Sequence, residues 1–64
     1  MTQFSKNIKQ LRVDEKLSQK DLAEKLHITQ RKISYWENGK VEPSLNDLIT
    51  ISNLFSVSID DLVK

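Results

Sequence analysis

The chain has no cysteine, one histidine, one glycine and one proline among its 64 residues. Without cysteine there is no disulfide framework, and a single histidine leaves no Cys/His set for a structural zinc ion. A domain this small buries only about 60% of the surface its unfolded chain exposes, so helix packing has to hold it together. The one glycine, Gly39, is too few for a phosphate-cradling loop, and no group of carboxylates has metal-ligand spacing. Nothing near the N-terminus has the long apolar run of a signal peptide or membrane span, and there is no repeat or low-complexity segment. Catalysis is poorly served too: His27 lacks a cysteine partner and no serine stands in a nucleophile-elbow pattern. The expectation is a soluble, cytoplasmic, non-enzymatic domain spanning residues 1–64, with no metal and no cofactor.

What is present is organised around Gln19 to Gly39. Leu22, Ala23 and Leu26 recur at three- and four-residue spacing and Lys20, Asp21, Glu24 and Lys25 take the other side, the pattern of an amphipathic helix. Ser18 with Asp21 three residues on is a capping box, which predicts a helix start at about Gln19. The pattern breaks at His27-Ile28, Thr29 offers a new N-cap, and Ile33 and Trp36 resume an apolar stripe that Gly39 stops. This second helix, about Gln30 to Asn38, has a narrow apolar side that takes Trp36 inward. It leaves Gln30, Arg31, Ser34, Tyr35 and Asn38 outside, a row of hydrogen-bonding side chains where a plain solvated helix carries Glu and Lys.

The flanks complete an all-α reading. A first helix is predicted over about Gln3 to Lys16, with Phe4, Ile8, Leu11 and Val13 toward the core and Leu17 closing the link. Lys40 to Ser44 contains the only proline and is the clearest loop. Ser44 and Asp47 form a second box before Leu45, Leu48, Ile49, Ile51, Leu54 and Phe55, too densely apolar for a surface helix and therefore expected as the central support. Ser58 with Asp61 opens a short last helix whose Ile59, Leu62 and Val63 either finish the core or offer a pairing surface. No sheet is expected. Net charge is only +1, but residues 1–40 carry nine Lys/Arg against five Asp/Glu and residues 41–64 one against four. Such a split fits one face meeting a polyanion as well as lysines that merely keep the chain in solution.

The strings SQKDLAEKL, ITQRKIS and WENGK, followed by PSLNDLITISNLFSVSIDDL, resemble the helix-turn-helix proteins of phage repressor and Cro type, the XRE family, from about Ile8 to Leu62. Counted from Gln19, the motif's apolar places are filled by Leu22, Leu26, Ile28, Ile33 and Trp36, with small Ala23 where two helices approach closely. His27 stands where the family usually has glycine to allow a positive backbone angle, a departure expected to cost about 1 kcal/mol without changing the fold.

The resemblance implies a compact five-helix, lambda-repressor-like DNA-binding domain whose third helix enters the major groove of double-stranded DNA. By the family's pattern Gln30, Arg31 and Tyr35 fall where bases are read, with Ser34 beside them; Arg31 on guanine is the sharpest expectation. Tyr35 either meets a thymine or folds onto its own helix. Gln19 and the amides at its helix start resemble the family's phosphate clamp, and Lys32, Asn38 and Lys40 are candidates for further phosphate contacts. Arg12 is implied to form a partly buried ion pair with Glu37. A repressor acting as a homodimer on a two-fold symmetric operator is the implied regulator, either complete in this chain or as the DNA-binding part of a longer protein. The competing reading is a protein-interaction module, such as an antitoxin or a regulator's partner.

Overall fold

A computed structural model describes residues 3–64. Among them are five helices and no strand: α1 (Phe4–Asp14), α2 (Gln19–Leu26), α3 (Gln30–Glu37), α4 (Leu45–Phe55) and α5 (Ile59–Val63).

The helix starts follow from local chemistry. Ser18 and Ser44 each accept from the backbone N–H of the aspartate three residues on, and that aspartate accepts from the serine's own N–H, so both capping boxes are closed. Thr29 accepts from Lys32 N at 3.2 Å, and Ser58 from Asp61 N at 2.9 Å, the forward half of a box.

The helix ends share one device. Lys16, His27, Gly39 and Ser56 all have positive φ, between 55° and 70°, and each stands just past a helix. The following amide then reaches back five residues: Leu17 to Arg12 O, Ile28 to Ala23 O, Lys40 to Tyr35 O and Val57 to Ser52 O. This left-handed closure satisfies carbonyls the helix leaves free. It also ends α1 at Asp14, two residues short of the sequence expectation, because the chain has already turned at Lys16. Leu17, Ile28 and Val57 fold back against the core as the apolar partners of three closures.

The core takes Phe4 and Ile8 from α1, Leu22, Ala23 and Leu26 from α2, Ile33 and Trp36 from α3, Ile51 from α4 and Leu62 from α5. Trp36 meets Phe4 edge to face, with centroids 5.6 Å apart and planes at 82°, an arrangement that adds to what ring burial alone supplies. Two expectations are corrected. Val13 is 51% exposed rather than turned to the core, because the hundred-degree step from Arg12 carries it to the outer side of α1. Helix α4 flanks the core instead of supporting it centrally: only Ile51 is fully buried, while Leu45, Ile49 and Leu54 remain exposed. Its main packing is on α5 and α2, which covers one side of the helix, not its circumference. At the far end, Leu62 is core and Ile59 and Val63 are half-buried, so α5 finishes the interior.

The start of α1 is clasped to the end of α5. Gln3 N donates to Val63 O at 3.0 Å, and Asn7 Nδ2 reaches Leu62 O at 3.1 Å and Asp61 O at 3.2 Å. Carbonyls at the end of α5 thereby gain donors that a helix terminus otherwise lacks.

Candidate nucleic-acid interface

Helix α3 has an inner and an outer side with little between. Ile33 and Trp36 anchor it in the core, while Gln30 and Arg31 before them and Ser34 and Tyr35 between them are left exposed or half-exposed. Among the described residues the side chains of Gln30 and Arg31 make no hydrogen bond or ion pair, so both are at liberty on the first turn. That turn differs electrostatically from those of three other helices. Helices α2, α4 and α5 carry aspartate in their first turn, complementing the positive end of the helix dipole, whereas α3 has no acidic residue there and adds Arg31 and Lys32. Positive charge is thus concentrated where the donors point outward.

The other end of α3 is held from behind. Glu37, its side chain only 4% exposed, accepts from Arg12 Nε at 2.7 Å, Arg12 Nη2 at 3.0 Å and Gln19 Nε2 at 3.2 Å. Arg12 Nη1 also donates to Leu17 O at 2.8 Å. One guanidinium therefore joins α1, the α1–α2 link and the C-terminal turn of α3, and a planar fork suits that task better than a point charge. Its hydrogen bonds to Glu37 raise the Arg12 pKa further above its ordinary value, against the opposing effect of burial.

The candidate phosphate contacts fall into two groups. Lys40 is exposed and lies 6.0 Å from the Tyr35 ring, at the outer limit of a cation–π contact, so these two side chains share the C-terminal rim of α3. Tyr35 itself is 39% exposed, its ring turned outward rather than into the core. By contrast, Lys32, Asn38 and Gln19 are engaged. Lys32 Nζ is 3.4 Å from Asp47 Oδ1 and 5.4 Å from the Trp36 ring, which ties α3 to the start of α4. Asn38 Nδ2 folds back onto Ser34 O at 2.9 Å and Ser34 Oγ at 3.3 Å. Gln19 gives one amide hydrogen to Glu37. Burial opposes ionisation of Asp47, but the Ser44 N–H and hydroxyl with Lys32 outweigh it and hold the carboxyl below its ordinary value.

Sequence reasoning missed Asp47 as the anchor of Lys32 and Leu17 O as the second partner of Arg12. Serine–aspartate spacing marks Asp47 as a cap; nothing local signals its second partner.

His27 occupies the turn between α2 and α3 with φ 58° and ψ 42°, the left-handed conformation that glycine usually supplies. The imidazole is exposed. Among the described residues no group of three or more His, Cys, Asp or Glu could hold a metal ion, and no helix is long and apolar enough to cross a membrane.

Comparison with known proteins agrees with this geometry. A family model described as helix-turn-helix matches residues 8–62. The chain is 43% identical over 62 residues to the HTH-type transcriptional activator BcrR of Enterococcus faecalis, covering 97% of this chain and 30% of that protein. It superposes on a transcriptional regulator from Listeria innocua with a TM-score of 0.91 at 32% identity, over 98% of this chain and 59% of that one. It also superposes on the hydroxypropylphosphonic acid epoxidase from S. wedmorenis, with a TM-score of 0.87 at 31% identity over 98% of this chain and 34% of the epoxidase. The chain thus spans about a third to three fifths of the length of these three proteins, and the same five helices stand within regulators and within an enzyme. Fold alone does not decide activity. With 55 of its residues matched by the family model and every helix in the arrangement described, the chain belongs to the helix-turn-helix family of phage repressor and Cro type, the XRE family.

Proposed function

We propose that this domain is the DNA-reading part of a cytoplasmic transcriptional regulator, placing α3 in the major groove of duplex DNA, and that it has no catalytic turnover of its own. The observation that carries the reading is the unengaged pair Gln30 and Arg31 on the exposed, acid-free first turn of α3. A side chain already paired within the protein would have to break that pair to reach a base; these two do not. Arginine can bond guanine O6 and N7 bidentately and glutamine adenine N6 and N7, while Tyr35 and Ser34 lie further along the same face. Lys40 contacts phosphate, with Gln19 contributing its remaining amide hydrogen and the backbone amides of the first turn of α2. Asn38 gives up its bonds to Ser34 if it grips phosphate, and Lys32 acts chiefly as a strut between α3 and α4.

Two copies bind a two-fold symmetric operator. The domain measures 24 Å along its longest axes, which suits one copy per major groove, with half-sites roughly 34 Å apart. Occupying an operator excludes other proteins from it, so repression is the simplest output.

Selection from a random duplex pool, followed by titration of the winning site with native protein and Arg31→Ala, tests the proposal. A symmetric site whose guanine preference disappears in Arg31→Ala supports it. Failure to enrich any sequence, with equal weak binding by both proteins, sinks it. The exposed Leu45 and Ile49 favour a second reading, a protein-binding module. That reading requires a partner whose affinity changes little with salt, whereas DNA binding falls steeply as salt rises.

A further inference from the structure

Trp36 is 1% exposed, and its indole Nε1 has no hydrogen-bond partner among the described residues. The indole N–H can only donate, and a buried donor left unmatched costs about 1–3 kcal/mol. Trp36 also lines a cleft of about 40 Å³ together with Leu26, Ile28, Asp47, Thr50 and Ile51. Leu26, Ile28 and Ile51 make the floor apolar. The lining residues with polar side-chain groups are Trp36, from α3, and Asp47 and Thr50, both from α4.

Both α4 groups have accepting capacity to spare. Asp47 Oδ2 takes one bond, from Ser44 N at 2.9 Å, and Oδ1 takes a long one from Lys32 Nζ at 3.4 Å. Thr50 Oγ1 donates to Asn46 O at 2.9 Å, which leaves its lone pairs open. The cleft is therefore lined by a residue with one unmatched donor and by two residues whose acceptors can take more. An apolar guest would leave the indole unmatched, an anion would meet the Asp47 carboxylate, and a cation would face both the N–H dipole and the Lys32 ammonium. What fits is a small neutral molecule that accepts once and donates twice, and a water needs only about 10–15 Å³ by this measure together with two to four polar partners.

We propose that the α3–α4 cleft is the site of one ordered water, which accepts from Trp36 Nε1 and donates to Asp47 and Thr50. Lys32 already joins α3 to Asp47; the water is a second tie between the same two helices, on the inner side of the recognition helix. Asp47 thereby serves three groups: the cap of α4, the Lys32 ammonium and the bridging water.

The test is a crystal structure of the native chain at a resolution that shows waters, with NMR cross-relaxation between water and the Trp36 indole proton in solution. The expected result is an oxygen about 2.9 Å from Nε1 and a water cross-peak at the indole proton. Trp36→Phe, which keeps a ring and removes the donor, should lose that oxygen, and Thr50→Val, at an exposed position, should weaken the cross-peak. The proposal is overturned if Nε1 bonds Asp47 or Thr50 directly across a closed cleft, or if the cleft is dry and the indole proton shows no water contact. Both native measurements stand even if Trp36→Phe does not fold.

Discussion

Arg12 grips Glu37 with two parallel hydrogen bonds, Nε to Oε2 at 2.7 Å and Nη2 to Oε1 at 3.0 Å, across 25 positions of sequence. Because both side chains are largely buried, removing one strands the other's charge. Glu37→Leu alone is expected to destabilise the domain by about 3 kcal/mol, and Arg12→Met together with Glu37→Leu to recover most of that. Urea titration of the two variants beside the native chain checks this. Equal losses in the single and double variants would mean that the pair is not what Glu37 provides.

The three basic residues of α3 and its exit should separate in DNA binding. Arg31→Ala should cost about 1–3 kcal/mol at a guanine-bearing site and relax specificity there. Lys40→Ala should weaken all sequences alike and lower the salt slope by about 0.9. Lys32→Met should leave that slope unchanged, because its ammonium already faces Asp47. Affinities measured between low and moderate salt decide it, and a lowered slope for Lys32→Met would place that side chain on a phosphate.

Three of the four left-handed helix closures lack glycine: Lys16, His27 and Ser56. Substituting glycine at any one removes a Cβ penalty of about 1 kcal/mol, and the gains at these separate sites should nearly add. Thermal unfolding of His27→Gly, Ser56→Gly and the double variant tests this. The reverse change, Gly39→Ala, at φ 70°, should destabilise.

Acid should loosen α2 and α4 first. The backbone N–H and hydroxyl of Ser18 hold Asp21 below the ordinary carboxyl value, and Asp47 is also lowered, its hydrogen bonds outweighing its burial. With the folded pKa below the unfolded one, this stabilisation is complete above about pH 4 and is lost as pH falls through the lowered values. Melting temperature should be level down to about pH 4 and fall below it, and Asp47→Asn should be less stable at neutral pH with a shallower fall. A slope identical to native would remove Asp47 from the account.

How far the fold could be read in advance depended on how local each signal was. Ser18, Ser44 and Ser58 announce helix starts because a hydroxyl and an aspartate three residues apart act within one turn. The left-handed conformation at Lys16 and Ser56 was illegible: the geometry is the one Gly39 adopts, but neither residue type advertises it. Val13 and the exposed side of α4 were misread for a different reason. Apolar density at Leu45, Ile49 and Leu54 says how much surface could be buried, not whether a neighbour exists to bury it. In the candidate interface, the outward row on α3 followed from periodicity and family pattern, whereas the inward engagement of Lys32 and Gln19 depends on α4 and Glu37, which local spacing does not bring together.

The clasp between Gln3 and Val63 bears on how the domain can be rewired. With those backbone atoms 3.0 Å apart, a short linker could join Gln3 to the end of α5, and new ends could be opened in the loop around Pro43, between α3 and α4. Such a circular permutant should fold with all five helices in place, since the cut lies in exposed chain and no helix is divided. Chain entering α1 and chain leaving α5 pass through neighbouring points, so the domain can sit in a longer polypeptide like a bead on a hairpin loop of string.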